Sequence, residues 1–470
     1  MGRRQRTTVV SAREAEQVHG ASLALLDDPG VRIEHDVVRG LLLSRGARQG
    51  AGPADVRIPR PMVEECLALC PRTVALADQA GRETVLSSTS EPAFWSCPGL
   101  FLYQGGERRP FRSSDMAAVA RLLDRLDSVQ GIFGMSLDDV PPSARDVVGL
   151  SIIARNSRKH VRVLCFTPRG AELLPEMRRV VGPHPWLSIG FTAHGPLRWT
   201  ELAIEVFRRT AGHGIPVSVN GEPMAGASGP VTLAGTAAVG NAEILAGIVV
   251  NQLLEPGRPC IYNLGLAHVL DMRAATCVTG GPENALLAAA SAAMGRFYGL
   301  PSASWVSTEA MCPDAQAALE KMFGFHAHAA AGVSLIWGVG QLESEMTMCP
   351  AQAVMDDEMI SYVRRYARGA EVSDEALALD VCRRVGIAGS FLEAEHTARH
   401  FRSELFMPSL LFRKRRADWD AAGRRRLEER AEEIALQVMS GEAQSGLTPE
   451  QSAELERIAG RFVAQVRESS

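Results

Sequence analysis

This sequence has no long apolar run, no excess of charge of either sign and few aromatic residues. The lack of apolar runs and of net charge excludes whole classes of protein. Nowhere do about 18 apolar residues follow one another, so the sequence predicts no membrane-spanning helix. Its 50 basic and 54 acidic residues leave a net charge of −4, so no overall field attracts nucleic acid or an anionic membrane. The basic amino terminus lacks the apolar stretch of a signal peptide, and we expect a cytoplasmic protein.

Cysteine and histidine groups at metal-binding spacing are also scarce. The nine cysteines are odd in number and lie mostly in apolar segments, which is typical of reduced thiols in a core. Cys66 and Cys70 share a helical face, but no second pair lies nearby to complete a zinc site. His396 and His400 also have i, i+4 spacing but lack the intervening glutamate of the metalloprotease motif, and we interpret them as structural. The sequence therefore predicts no disulfide framework and no bound metal.

The chain divides into three segments of different texture. Its 470 residues are 46% hydrophobic, enough to bury a large core. Residues 1–110 mix amphipathic helical patterns with short β-like runs, and we expect a flanking α+β region. Residues 111–412 alternate short apolar runs with helical patterns, as a catalytic barrel would. Residues 413–470 are charged and helical, which is typical of a solvated extension.

The apolar runs of the middle segment predict the fold. They are rich in β-branched or aromatic residues and do not alternate cleanly, as strands buried on both faces of a parallel sheet do. They lie at 131–135, 161–166, 187–191, 215–220, 259–263, 303–307, 333–338 and 387–392. Helical patterns separate them, so the order and length predict an α/β fold with an eight-stranded parallel (β/α)8 TIM barrel. A doubly wound open sheet is the structural alternative.

A glycine-rich loop, GEPMAGASGPVTLAG, follows the run at 215–220. It has neither the lysine of a phosphate-binding loop nor a Gly-x-Gly-x-x-Gly pattern opening a helix, which argues against phosphate binding. Gly226 and Gly229 permit close backbone approach, and Pro230 fits the first turn of a helix. In a barrel this loop lies at the catalytic face, so it is suited to a flat, bulky group or a partner protein.

Several spaced motifs resemble the trimethylamine methyltransferase family over nearly the whole chain. They include GASGPVTLAGTAAVGNAEILAGIVVNQLLEPGRPCIYN, GGPENALLAAASAAMGRFYGLP, GVGQLESE and FLEAEHTARHFRSELFMPSLLFRK. The resemblance implies a barrel enzyme that moves a methyl group from a methylamine or quaternary amine to the cobalt of a corrinoid carried by a partner protein. It places Gly226, Gly229, Pro230 and Thr232 at the corrinoid-facing mouth. We also expect a homo-oligomer.

The missing pyrrolysine narrows the expected donor. Founding members of the family use pyrrolysine, whereas this chain contains only standard residues and therefore resembles the non-pyrrolysine branch. That branch implies glycine betaine and related quaternary amines as donors. Co(I) attacks a methyl carbon in line, and a quaternary ammonium then departs as a neutral amine. A tertiary amine would have to expel an amide anion unless its nitrogen were first activated.

The candidate binding residues follow from the chemistry of such a donor. A quaternary cation has no hydrogen-bond donor, so aromatic faces and carboxylates are expected to bind it. The aromatic candidates near the ends of predicted strands are Phe133, Phe191, Tyr262, Trp305, Trp337 and Phe391. The candidates for donating to a substrate carboxylate are Asn220, Asn263 and Gln316. For each aromatic residue, barrel packing is the alternative.

The candidate catalytic residues are Glu309, Glu343 and His326. The two glutamates follow predicted strands and could balance the charge of the donor, with a salt bridge or supporting contact as the alternative. His326 could contact the substrate or the corrinoid, with a satisfied buried histidine as the alternative.

Three other functions stay open at this point. The first is methyl transfer from a tertiary amine such as trimethylamine, with a carboxylate in the role of pyrrolysine. The second is a non-catalytic barrel that binds a quaternary amine or a corrinoid protein. The third is a barrel enzyme of unrelated chemistry, which only the fold supports.

Overall fold

The computed structural model describes residues 7–468, which form a closed barrel of eight parallel strands with flanking segments. We number the strands β1–β8 in chain order: Ala93–Ser96, Gly131–Phe133, His160–Arg162, Leu187–Ala193, Val217–Gly221, Cys260–Gly265, Ser302–Trp305 and Leu335–Val339. Each strand pairs with the next along the chain, and β8 pairs with β1 to close the ring. The barrel predicted from the sequence is confirmed, and the open sheet is excluded.

One helix of the outer layer follows each strand. We number these helices α1–α8: Ser113–Arg125, Arg145–Asn156, Pro168–Val181, Glu201–Thr210, Leu233–Leu254, Pro282–Tyr298, Ala315–Ala331 and Pro350–Arg368. A short 3-10 turn, Pro142–Ala144, precedes α2. The helices run antiparallel to the strands, so they begin beside the carboxyl ends of the strands, where the barrel has its mouth.

The predicted strand at 387–392 is wrong. That segment forms exposed turns outside the barrel, and its Ile387 is fully exposed. The missing strand is β1, whose sequence AFWS lies within the segment assigned to the flanking region. Four residues between a proline and Cys97-Pro98 carry too weak a pattern to stand out from the neighbouring hairpins.

Helix α5 is apolar on all sides because it is covered on all sides. By length and composition it could cross a membrane, but most of it is buried. The amino-terminal helices Ala12–Asp27 and Arg60–Leu69 pack against its outer face. It is therefore a core helix of the barrel layer.

The amino-terminal segment also closes the lower end of the barrel. Its remaining elements are the helix Asp36–Ser44 and the strands Val31–Ile33, Arg48–Gln49, Asp55–Arg57, Thr73–Ala77 and Glu83–Ser87. The last two strands form a hairpin whose Val74 and Leu86 join the apolar cluster inside the barrel. Nδ1 of His160, at the start of β3, lies 3.1 Å from the carbonyl oxygen of Ala77. A small molecule therefore has to enter from the mouth.

Two small sheets build the mouth from the loops that follow the strands. One joins the hairpin after β1 to the loop after β8, with strands Phe101–Gln104, Glu107–Pro110, Gln341–Leu342 and Thr347–Met348. The other joins the loops after β5 and β6, with strands Met224–Ala225, His268–Asp271 and Thr276–Val278. The strand Arg198–Trp199 after β4 pairs with Val31–Ile33 instead.

The chain after α8 wraps the outside of the barrel, and it begins before residue 413, within the segment predicted as barrel. Its helices are Asp374–Leu377, Leu379–Val385, Glu395–Glu404, Arg416–Ala421, Leu427–Met439 and Pro449–Glu468. The last two pack against the barrel helices and bury apolar side chains such as Ala431 and Phe462. The first three bury none of their described residues.

Candidate active site

Half of the barrel interior is an aromatic wall formed by Trp95, Phe133, Trp305 and Trp337. These buried residues come from β1, β2, β7 and β8, which are neighbours in the ring. Trp95 and Trp337 stack with their ring centroids 6.4 Å apart, and Phe133 meets Trp337 edge-on at 5.3 Å. Such a wall presents π-surface to whatever occupies the barrel.

The opposite half of the interior is polar. Asn220 on β5 accepts from Ser218 Oγ at 2.7 Å and from Nδ2 of Asn263, on β6, at 3.0 Å. All three side chains are buried. The interior therefore has an apolar face and a hydrogen-bonding face, which suits a ligand with two unlike ends.

Arg162, at the end of β3, lies at the border between the two faces. Its guanidinium stacks over the Phe133 ring, 4.7 Å from the centroid, and donates from Nη1 to the carbonyl of Val163. It is only 3% exposed, and among residues 7–468 no carboxylate pairs with it. Burial lowers its pKa to about 10, so the side chain is still charged at neutral pH. A buried cation without a counter-ion is costly, and this one is placed to receive an anion.

Unsatisfied polar atoms mark the same space. Within the described chain, Arg162 Nε, Asn263 Oδ1, Trp337 Nε1 and Gln341 Nε2 are buried and have no hydrogen-bond partner. Buried polar groups in folded proteins nearly always have partners, so these atoms need a ligand or water. Arg162 and Trp337 both contact the Phe133 ring, Gln341 accepts from Trp305, and Asn263 donates to Asn220, so all four residues border the two faces of the interior.

Two partly buried glutamates face each other at the mouth. Glu222 directly follows β5, and Glu345 lies on the loop after β8, where Cys97 Sγ contacts its Oε1 at 3.7 Å. Burial raises the pKa of Glu222 to about 7 and, with repulsion from Glu222, that of Glu345 to about 8. The pair is thus poised to ionise near neutral pH.

The loop that carries Glu345 has an unusual backbone. Glu343, Ser344 and Glu345 all have left-handed φ angles, of 57°, 47° and 77°. Non-glycine residues adopt this region at a cost, and three in a row need outside support. The amide of Glu343 donates to Ala310 O at 3.0 Å and that of Ser344 to Thr308 O at 2.9 Å, which holds the turn in place.

Five of the predicted binding residues reach the interior and four do not. Phe133, Trp305, Trp337, Asn220 and Asn263 belong to the two faces described above. Tyr262 points outward and donates to Asn241 of α5 at 2.8 Å, and Phe191 packs with the outer core beside His194. At the start of α7, Gln316 Nε2 donates to Glu320 Oε1 at 3.0 Å. Phe391 lies in the exposed segment 387–392.

The predicted catalytic residues lie elsewhere. Oε1 of Glu309 accepts from both the amide and the hydroxyl of Thr279 at 2.6 Å and from Ser344 Oγ at 3.2 Å, so it ties together three mouth loops. Glu343 pairs with Arg108 at 2.6 Å. Both glutamates are engaged by the protein, and their catalytic role stays a prediction. His326 contacts Tyr366 on the outer helical layer, too far out to touch a ligand in the barrel.

The glycine loop shapes the rim of the mouth as expected. Gly226 has a φ of +92°, and a Cβ there would lie 2.6 Å from Cε of Met272. Gly226 N donates to Gly229 O at 3.0 Å, which closes a tight turn. Helix α5 begins only at Leu233, with Thr232 as N-cap, so Pro230 precedes the first helical turn instead of lying in it.

Exposed apolar side chains surround this opening. They lie on the loops after β5, β6, β7 and β8, and we call them the apolar rim: Val231, Met272, Met311 and Met346. Exposed apolar groups clustered around an opening are typical of a surface that meets a partner.

Sequence reasoning missed Trp95, Arg162, Glu222 and Glu345. Trp95 was hidden in the unrecognised strand. Arg162 carries a visible signal, because a charged residue inside the apolar run VRVLCF has to be compensated when the run is buried. Both glutamates lie inside motifs quoted above, Glu222 in the glycine-rich loop and Glu345 at the end of GVGQLESE, but nothing local shows which carboxylate turns inward.

Comparisons with known proteins agree with this architecture. The model of one family, trimethylamine methyltransferase, matches residues 2–469. A trimethylamine methyltransferase of Desulfitobacterium hafniense is 30% identical over 462 residues, covering 95% of this chain and 92% of that protein. A glycine betaine methyltransferase of the same species is 28% identical, covering 97% and 96%. The crystal structure of Methanosarcina barkeri monomethylamine methyltransferase shares the fold, with a TM-score of 0.53 at 14% identity over 92% and 87% of the chains. This chain therefore belongs to the trimethylamine methyltransferase family, and it is a methyltransferase.

Proposed function

We propose that the protein transfers a methyl group from a quaternary ammonium compound that bears a carboxylate, glycine betaine or a close analogue, to the Co(I) of a corrinoid carried by a partner protein. The observation that carries this proposal is the unpaired, buried Arg162 beside the aromatic wall. Trimethylamine has no group for Arg162 to bind, whereas a betaine presents a cation to the wall and an anion to the guanidinium.

The cationic end of the donor fits the aromatic wall. A quaternary nitrogen offers no hydrogen, so its binding comes from ring faces, each contributing about 0.5–2 kcal/mol. Phe133 lies next to Arg162, and Trp337 meets the Phe133 ring edge-on, so both rings lie near the guanidinium. The ionised form of the Glu222–Glu345 pair would add attraction from the side of the mouth.

The depth of Arg162 sets the orientation of the donor. A Cβ on Gly190 would lie 2.7 Å from Arg162 Nη2, and Gly190 pairs with Ser218 of β5. Ser218 lies on β5 four residues before Glu222, which follows the end of that strand, so the guanidinium lies deeper than the glutamate pair. A carboxylate on Arg162 would leave the ammonium and its methyl groups directed toward the mouth, where a nucleophile can approach in line.

The rim fits a docked corrinoid protein. The apolar rim and the glycine turn at Gly226 and Gly229 offer an exposed apolar surface around the opening. The corrinoid, when bound, supplies the cobalt nucleophile that takes the methyl group. The chain itself orients the donor, keeps water from the barrel and releases the neutral amine. The predicted homo-oligomer stays a prediction.

The donor panel is the direct test. Purified protein is mixed with free Co(I) corrinoid and, separately, glycine betaine, tetramethylammonium, trimethylamine or dimethylamine. We expect glycine betaine to give methylated corrinoid, followed by absorbance, and dimethylglycine, followed by mass spectrometry. Methylation by the tertiary amine alone would reject the proposal.

A tertiary amine is the second candidate donor, favoured by the 30% identity to a trimethylamine methyltransferase. Glu345, protonated near neutral pH, could donate the proton that activates such a nitrogen. This alternative leaves Arg162 without a role, which is why we place it second.

The glutamate pair predicts a pH dependence. Only ionised carboxylates attract the donor cation, and their pKa values of about 7 and about 8 are raised above the ordinary value. We therefore expect kcat/KM for glycine betaine to rise with pH between about 6 and 9, since this ratio reports ionisations of the free enzyme. Glu345→Gln should lower the value that kcat/KM reaches at high pH. The rise that remains then comes from Glu222 and should move toward pH 7. A profile that falls over this range would contradict the assignment.

A further inference from the structure

A second cluster of chemically competent side chains lies far from the barrel mouth. Glu375, His396 and His400, which we call the histidine cluster, place their ligand atoms within 4.8 Å of one another. Nε2 of His400 is 3.1 Å from Oε1 of Glu375, and Nε2 of His396 is 3.1 Å from the carbonyl oxygen of Glu375. Two imidazoles and a carboxylate thus converge on one point.

The position of the cluster separates it from the methyl-transfer site. His396 and His400 lie on the helix Glu395–Glu404, whose end is held by Arg365 of α8 through a 2.8 Å hydrogen bond to Glu404 O. Since α8 starts at the mouth and ends at Arg368, this contact lies at the opposite end of the barrel. The cluster cannot touch a substrate in the barrel.

The donor set and its spacing fit a divalent cation of the zinc class. Neutral imidazole nitrogens with a carboxylate oxygen are ordinary zinc ligands, and at bond lengths of about 2.0–2.1 Å tetrahedral neighbours lie about 3.3 Å apart. The 3.1 Å between His400 Nε2 and Glu375 Oε1 is close to that separation. His396 and His400 are only half-buried, so an ion and a completing water can reach them.

A second observation shows what the ion would do. The described helices Asp374–Leu377, Leu379–Val385 and Glu395–Glu404 bury no residue, and Val372 and Leu392 are more than four-fifths exposed. Short helices without buried apolar surface are marginal on their own. A bound metal supplies folding free energy where a core does not.

We propose that Glu375, His396 and His400 bind one zinc-class divalent cation, which fastens the helix Asp374–Leu377 to Glu395–Glu404. The proposal is independent of the methyl donor. It revises the sequence-based interpretation of His396 and His400, because the third ligand comes from a residue 21 positions away that the sequence pattern did not connect with them.

Arg399 provides a sharp test, because it competes with the ion. Its Nη1 lies 3.0 Å from Oε1 of Glu375, the oxygen that faces His400. Its side chain is 57% exposed and can turn into solvent. If the cluster binds a metal, Arg399→Ala removes a competing cation and tightens binding. If the cluster is held by hydrogen bonds and charge alone, the same change loosens the segment.

The experiment uses tag-free, full-length protein stripped with a chelator and titrated with Zn²⁺ against a chromophoric competitor. We expect one equivalent per chain, and an intense visible spectrum of tetrahedral type with Co²⁺. His396→Ala and His400→Ala should each weaken Zn²⁺ binding about tenfold or more. His213→Ala, an exposed histidine elsewhere, should leave it unchanged, and Arg399→Ala should strengthen it. Zn²⁺ should also protect residues 370–405 from limited proteolysis.

Two results would overturn the proposal. One is the absence of stoichiometric Zn²⁺ binding by the stripped protein. The other is binding that His400→Ala leaves intact, which would assign the ion to other groups. Neither result bears on methyl transfer, which is measured separately on the donor panel.

Discussion

Replacing Arg162 by methionine is expected to lower kcat/KM for glycine betaine about 100-fold, because a charge-assisted contact to the substrate carboxylate in a buried site is lost. Binding of tetramethylammonium, measured by calorimetry, should change little, because that cation has no carboxylate. Arg162→Lys should recover part of the rate, since it keeps the charge without the two-pronged geometry of a guanidinium. The informative quantity is the loss measured with glycine betaine relative to the loss measured with tetramethylammonium.

Arg258 is the matched control for this prediction. It too is a fully buried arginine, but it donates to the carbonyls of Ile215, Phe207 and Thr210 and therefore has its partners within the protein. Arg258→Met should lower stability and leave the preference for glycine betaine over tetramethylammonium unchanged. Arg162→Met should reduce the preference for glycine betaine. It should not lower stability, because it removes a buried cation that no carboxylate balances. Equal losses for both ligands in Arg162→Met would show a packing role instead.

The largest effect on stability is expected from Lys321→Met, which should lower the free energy of unfolding by about 3–5 kcal/mol. Lys321 of α7 and Asp356 of α8 form an ion pair at 2.6 Å, and both side chains are completely buried. The change leaves the Asp356 carboxylate buried without its cation. Urea denaturation at neutral pH measures the loss.

This ion pair also holds the chain that leads to the glutamate loop. Lys321 Nζ donates to the carbonyls of Gly338 at 2.7 Å and Gln341 at 3.1 Å, and Asp356 accepts from Gly340 N at 2.7 Å. Lys321→Met should therefore speed hydrogen exchange in residues 338–345 as well. The double change Lys321→Met with Asp356→Leu should recover most of the stability, because the pair is then replaced by apolar side chains.

A surface pair gives the control for Lys321. Arg383 and Asp380 lie 2.9 Å apart with both side chains more than three-quarters exposed. Arg383→Met should cost no more than about 0.5 kcal/mol, since water screens such pairs. A Lys321→Met protein as stable as this control would show that the buried pair contributes no net stability.

Seven of the eight barrel strands could be predicted because each is an apolar run between helical patterns. The eighth could not, since AFWS at β1 is as short as the neighbouring hairpin strands and is recognised only by its pairing with β8 and β2. The same limit governs the site. Trp305 and Trp337 were predicted from aromatic residues near strand ends, whereas Tyr262 has the same signal and turns outward to Asn241.

The carboxylates at the mouth show the limit most clearly. Glu309, Glu343 and Glu345 lie on neighbouring mouth loops, and nothing in their local sequence separates them. Thr279 donates to Glu309, and Arg108 pairs with Glu343. These contacts and the left-handed turn at residues 343–345 decide which carboxylates are engaged by other protein groups. These contacts join loops that are distant in the chain, so local patterns do not contain them.

The alternation of apolar runs and helical patterns by itself determined a parallel α/β fold of barrel size, because burial on both faces of a parallel sheet demands that composition. The motifs likewise indicated the family. Only the tertiary structure decided which side chains share the interior, how Arg162 is left without a carboxylate, and where Glu375 meets His396 and His400. The physical reason is that inward or outward direction reverses at every residue of a strand, and ring closure brings together groups that are far apart in sequence.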